Sequence, residues 1–334
     1  MMKLSNFYAY MVLLILMGSC ASDVNVVATQ SAASPSLTSN FINTPTLILP
    51  STTPSPVSTP TKIPPTQTPF PTLAPDEVKI KLFDLLLNNG GCALPCFLGY
   101  SPGISTKDDI QNFFGQFGVQ DTPDLSISRT AATARSIIGF YIRLNNHYLN
   151  MGILTFESMG DVKVIRMDSF IQPDNSNPSQ RLDNSYTWDL RYAEVMHYYL
   201  LPQILAVYGE PSEIIILTYR NDRQRPDVTS FPFFLVLLYP EQGFYVKYEM
   251  ERITSGINFL GCPSKSFVDV VVWPPNNDKI FEGIVKPTIN SEYLSDYKSL
   301  SDAASMTIYE FHQIFSDSKN KNCIETPIEI WPNP

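Results

Sequence analysis

The chain has 334 residues, 44% hydrophobic and 12% aromatic, which is enough apolar surface to build one large domain or two ordinary ones. Its formal net charge is −9 and no run of Lys or Arg occurs in it. Nucleic-acid binding depends on basic side chains that displace counterions from phosphates, so neither nucleic acid nor electrostatic docking to anionic lipid is expected.

Residues 1–20 read MMKLSNFYAYMVLLILMGSC. Lys3 precedes an uncharged, mostly apolar run from Phe7 to Met17, the length of a signal peptide and short for a membrane span. The run ends in Met17-Gly18-Ser19-Cys20, which resembles the lipobox of bacterial lipoproteins, with Met17 where Leu is usual. The resemblance implies that residues 1–19 are removed and that Cys20 carries a lipid. The chain would then sit on the extracytoplasmic face of the cell membrane. A plain N-terminal anchor, or a cleaved signal without lipid, is the alternative.

Residues 20–75 read as the lipidated N-terminus and a stalk. From Ser31 to Pro75 the sequence is dominated by Ser, Thr and Pro, with Lys62 its one charge. Such a segment has too little apolar surface to offset the entropy of folding, and its prolines remove backbone donors. At about 3 Å per residue it could reach about 100 Å from the membrane.

Folded structure is expected from Asp76 on. Ile110, Phe113, Phe114 and Phe117 repeat at helical spacing, with Ser105 and Asp108 as an N-terminal capping pair and Gly118 as the stop. The frame recurs 91 positions later as Leu201, Ile204, Leu205, Tyr208 and Gly209. Strand-like runs follow each helix: 137–144, 149–157 and 162–171, then 213–220, 231–239, 244–250 and 267–273. The expected fold class is α+β. Two tandem helix-plus-antiparallel-meander units, 76–180 and 181–334, would pack their helices on one face of the sheet. Thr307 and Glu310 form a capping box for a third helix, with Ile308, Phe311 and Phe315 turned inward.

Pro102-Gly103-Ile104-Ser105-Thr106, leading into a helix that ends Phe117-Gly118, resembles the helix-plus-sheet modules of outer-membrane-assembly lipoproteins and tandem lactamase-inhibitor proteins. Cys92-Ala-Leu-Pro-Cys96 with Gly99 and Pro102-Gly103 is similar to uncharacterised bacterial surface lipoproteins on Ser/Thr/Pro stalks, which implies architecture only.

With Cys20 reserved for lipid, Cys92, Cys96, Cys262 and Cys323 remain. An exported chain folds where disulfides persist. Proximity favours Cys92 with Cys96, and elimination then leaves Cys262 with Cys323. A four-Cys zinc site is the competing possibility. The loop around Pro95 carries Phe97, Leu98 and Tyr100, either as a recognition knob or as a plug in the first unit's core.

Catalytic and cofactor signatures are absent from the sequence: no phosphate-binding glycine loop, HExxH, GxSxG or EF-hand loop occurs. The S-x-x-K strings at Ser295/Lys298 and Ser316/Lys319 lack the partner motifs of penicillin-recognising enzymes. Asp174 and Asp183 lack calcium-loop spacing. His147, His197 and His312 stand apart from one another. Trp188, Trp273 and Trp331 could form a sugar-stacking platform but suit a core equally. No catalytic residue, metal ligand or cofactor is assigned. The expectation is a lipid-anchored surface protein that binds an unknown protein or glycan. The alternatives are an envelope hydrolase whose site converges only in space, or an inhibitor of an extracellular enzyme.

Overall fold

A computed structural model describes residues 72–118, 121–122, 124–132, 135–144, 147–158, 161–173, 190–220, 232–291 and 296–332. The signal segment 1–19, Cys20 and the stalk up to residue 71 lie outside the described residues. So do the expected boundary at 180/181, Asp174, Asp183, Trp188 and Ser295.

Helix α1 spans Pro75–Asn88. Pro fits its first turn, where no intrahelical N–H bond is lost, and the Glu77 carboxylate accepts from the Ala74 N–H at 2.9 Å. Val78, Leu82 and Leu86, spaced by four, form its buried stripe. Asn89 ends it in the left-handed conformation at φ 53°. Helix α2, Lys107–Gly115, follows a disulfide-closed loop. Its cap lies one residue later than the spacing suggests. Thr106 Oγ1 accepts from the Asp109 N–H at 3.2 Å, and Asp109 accepts from the Thr106 N–H at 2.9 Å. Ser105 instead accepts from the Ser101 N–H at 3.0 Å, bracing the preceding turn.

The chain then forms strands β1 (Asp121–Thr122), β2 (Leu125–Ala132), β3 (Arg135–Leu144), β4 (His147–Ser158) and β5 (Asp161–Pro173), each antiparallel to the last. Helices α3 (Leu190–Val195) and α4 (Leu201–Tyr208) precede β6 (Glu213–Leu217), β7 (Pro232–Tyr239), β8 (Phe244–Ser255) and β9 (Asn258–Val272). The final strands of the two runs meet, Ile165–Met167 of β5 pairing with Val272–Val270 of β9. The strand order is β1-β2-β3-β4-β5-β9-β8-β7-β6, continued by β10 (Lys298–Ser299). The fold is α+β, mixed helix and antiparallel sheet.

Alternation along the strands sorts the core. Ile138, Phe140, Ile142, Leu149, Met151, Ile153, Leu235, Leu237, Val246 and Tyr248 join the apolar stripes of α1, α2, α3 and α4 in one large cluster. Two further helices, α7 (Leu300–Ala304) and α8 (Ile308–Phe315), contribute Leu300, Ala303, Phe311 and Phe315 to it. Residues of opposite alternation, Val236, Leu238, Tyr245 and Val271, make a second cluster with Trp273, Val285 and Ile289. That cluster draws on α5 (Asp278–Ile280), a π-helical turn (Phe281–Val285) and α6 (Lys286–Ser291). Helical residues therefore pack with strand residues of both alternations. Trp273 and Phe281 stack at 5.5 Å there, giving 278–291 an apolar seat of its own.

Strand β11 (Ile324–Pro327) adds to β9, and the Cys262–Cys323 disulfide joins the two segments at a Cα separation of 4.1 Å. The other disulfide is Cys92–Cys96.

Candidate functional site

Between α2 and the strands β2–β4 lies a cleft of about 380 Å³, within the usual size range of small-ligand sites. Backbone bonds set one wall. The Gly103 N–H donates to the Val162 carbonyl at 2.7 Å, and the Val162 N–H donates to the Ser105 carbonyl at 3.2 Å. The segment leading into α2 is thereby fixed on the first residues of β5. A β-bulge between Phe156 and Glu157 shifts the strand register at the same place.

The result sets Lys107, first residue of α2, over Glu157. Lys107 Nζ lies 2.9 Å from Glu157 Oε2, with side-chain exposures of 25% and 5%. Ser136 donates to Glu157 Oε1 at 2.9 Å, and Thr155 donates to the same atom at 3.0 Å. Burial alone would raise the Glu157 pKa. The hydrogen bonds from Lys107, Ser136 and Thr155, with the Lys107 charge, outweigh it and hold the carboxyl below its ordinary range.

This decides what the group can do. A general base works best with a pKa near the working pH, and Glu157 is moved away from it. Ser136 therefore sees a carboxylate weaker as a base than usual, and among the described residues no imidazole lines the cleft. Ile110, Phe114 and Ile138, all nearly buried, form an apolar floor. Gln111, Asn112, Thr130 and Arg129 complete the rim. Arg129 donates one long bond, 3.4 Å, to the Gly118 carbonyl at the far end of α2. The cleft thus combines a fixed ion pair, an apolar floor and a polar rim.

A second polar group lies on the sheet face opposite the main core. Arg166 and Asp168 on β5 pair at 2.6 Å, as do Lys247 on β8 and Asp269 on β9. Burial, and then the Asp269 charge, push the Asp168 carboxyl up to about 6, against the opposing pull of Arg166 and Lys247. Nearby Asn150 is 6% exposed, and its Nδ2 finds no hydrogen-bond partner among the described residues.

The loop singled out as a recognition knob does not display its side chains. Phe97 and Leu98 are each 2% exposed, and Tyr100 is half-buried against Phe113. Phe97 packs on Tyr199 at 5.8 Å between ring centres. Asn89 explains the inward turn. It is fully buried and donates to the Cys92 and Cys96 carbonyls at 2.8 and 2.7 Å. Its Oδ1 accepts from the Leu98 N–H and the Tyr199 hydroxyl, both at 2.8 Å. Gly90 allows the fold-back, because a Cβ there would meet the Leu98 backbone at 2.5 Å.

Trp273 and Trp331 are buried, so neither offers a ring to a sugar. His312 faces the Leu205 carbonyl at 3.3 Å. Among the described residues no three His, Cys, Asp or Glu side chains converge as a metal site would require. Ser316 caps the C-terminus of α8, and Lys298 lies over the Trp331 ring at 5.7 Å. None of these borders the cleft. The residues that do form it, Lys107, Arg129, Ser136, Thr155 and Glu157, carry one legible signal. Ser136, Thr155 and Glu157 are polar at positions whose alternation points inward.

No protein-family model, curated protein or solved structure matches the chain.

Proposed function

We propose that the protein is an exported, lipid-anchored binding protein that holds a small ligand in the cleft between α2 and β2–β4. Cys20 anchors it to the membrane and the Ser/Thr/Pro-rich stalk carries the folded part outward; the signal-like residues 1–19 and the lipobox-like MGSC support this. The folded part is read as two related units. Two helices followed by an antiparallel run occur twice, five strands (β1–β5) in the first and four (β6–β9) in the second, and the last strands of the runs, β5 and β9, pair. Gly118 and Gly209 both take positive φ, and Phe114 and Leu205 are both buried. In this reading α1–α4 share one face of the sheet, and 278–291 is an addition on the other.

The observation that carries the binding reading is Glu157. It is a buried carboxylate kept ionised by three donors, which builds one wall of a cleft without supplying an acid or base tuned to neutral pH. The test uses the full chain and small-molecule extract from a bacterial envelope. Bound compounds are released and identified by mass spectrometry, beside a Gln111→Trp variant whose indole fills the cleft mouth. A compound retained by the wild type and lost in the variant supports the reading. Equal retention, or none, contradicts it.

A further inference from the structure

We infer that the cleft takes a small amphipathic monoanion, a carboxylate on an apolar body, with Arg129 as the group that recognises its charge. This rests on the binding reading above and adds the chemical class of the ligand.

Charge in the cleft is uneven. Lys107 and Glu157 face each other at 2.9 Å and cancel. Both Glu157 oxygens are already occupied, Oε1 by Ser136 and Thr155 and Oε2 by Lys107. A cationic ligand would have to break these bonds to reach that carboxylate. Arg129 is different. Its one side-chain hydrogen bond is the long one to the Gly118 carbonyl, and it pairs with no carboxylate among the described residues. Arg129 lines the cleft, and the rest of its guanidinium fork has no partner among the described residues. That fork matches a carboxylate in plane and spacing.

Among the described residues lining the cleft, Arg129 is the one cation without a carboxylate, which suits one negative charge. A dianion would leave a second charge against the apolar floor with no partner, which is costly. Ile110, Phe114 and Ile138, at 3%, 1% and 5% exposure, provide that floor, so the body of the ligand is apolar. Gln111 and Asn112 stand on the rim, and neither side chain has a hydrogen-bond partner among the described residues. They can donate to the second carboxylate oxygen. The competing explanation is that Arg129 serves only the C-terminal end of α2, where a cation is favoured by the helix dipole. A bond of 3.4 Å from one guanidinium nitrogen does not use the side chain up.

The experiment is calorimetric titration of the full chain with three probes of one tail and different heads: hexanoate, hexanol and hexylamine. Hexanoate should bind at least about tenfold more tightly than the other two, the effect of one charge-assisted hydrogen bond. Arg129→Gln should bring hexanoate down to the hexanol level, and Arg129→Lys should keep part of the preference. Equal binding of hexanoate and hexanol, both lost in Gln111→Trp, would overturn the assignment of charge and leave the binding cleft standing. Arg129→Gln with undiminished hexanoate binding would reduce Arg129 to a helix cap and overturn it as well. Binding of none of the three would overturn this inference and the cleft reading together.

Discussion

Replacing Asn89 by Ala should be among the most damaging single changes in the folded part. The Asn89 side chain makes four close bonds, two to the Cys92 and Cys96 carbonyls and two from the Leu98 N–H and the Tyr199 hydroxyl, and a long one of 3.9 Å to the Cys92 sulfur. The Cys92 carbonyl keeps a donor in the variant, because the Tyr198 hydroxyl reaches it at 3.2 Å. That leaves the Cys96 carbonyl, the Leu98 N–H and the buried Tyr199 hydroxyl to be satisfied by other means. At about 1 to 3 kcal/mol for each buried group left unpaired, and with water reaching some of them, the loss should be about 3 to 5 kcal/mol. Position 89 also sits at φ 53°, where Ala is strained and Gly is not, so Asn89→Gly should be less damaging by about 0.5 to 1 kcal/mol. Tyr199→Phe removes one donor and leaves Asn89 Oδ1 its bond from Leu98, so it should cost about 1 kcal/mol. Urea unfolding at a constant m-value measures all three. A loss below about 1 kcal/mol for Asn89→Ala, or a Gly variant less stable than the Ala variant, would refute the claim that this side chain organises the loop.

Three further outcomes are expected. Replacing both Cys262 and Cys323 by Ser opens a loop of 61 residues and should cost about 4 kcal/mol in the chain-entropy account, read as a lower urea midpoint; an unchanged midpoint would count against the Cys262–Cys323 link. Glu157→Gln should destabilise the fold by about 2 kcal/mol at pH 7. Because Glu157 is depressed in the folded state, its contribution is present above the ordinary carboxylate range and lost as pH falls through its lower folded value, so variant and wild type should converge in acid; a gap that widened there would contradict the ion-pair account. Metabolic labelling with a fatty acid should disappear in Cys20→Ala, and labelling that persists would remove the anchor from the proposal.

Much of the helical framework was legible where local chemistry and packing agree. Thr307 and Glu310 cap α8 as a reciprocal box, and Phe311 and Phe315 are buried. Ile110 and Phe114 mark the buried face of α2 through spacing alone. Helix α1 escaped notice for a physical reason. Its N-cap is Ala74, with no side-chain oxygen to signal a start, and Pro75 continues the composition of the stalk. Strand-like patterning marks only 267–273, whereas β9 begins at Asn258 and carries Gly261 and Pro263, residue types disfavoured inside strands. Gly261 belongs there because a Cβ would collide with the Phe233 ring across the sheet. The cleft was illegible for another reason. Lys107, Arg129, Ser136 and Glu157 come from a helix and three strands, brought together by the β2–β3–β4 pairing, the backbone bonds of Gly103 and Ser105 to Val162, and the bulge at Phe156/Glu157.

The central claim, that the cleft under α2 is the binding site, is tested most directly by labelling isoleucine methyl groups and following them as hexanoate is added. Ile110 and Ile138 line the cleft, whereas Ile253 and Ile257 are exposed on and beside β8, away from it. Saturable shifts of Ile110 and Ile138, with Ile253 and Ile257 unmoved and the response abolished in Gln111→Trp, are the result expected. Shifts confined to Ile253 or Ile257, or none at Ile110 and Ile138 at saturating probe, would contradict it.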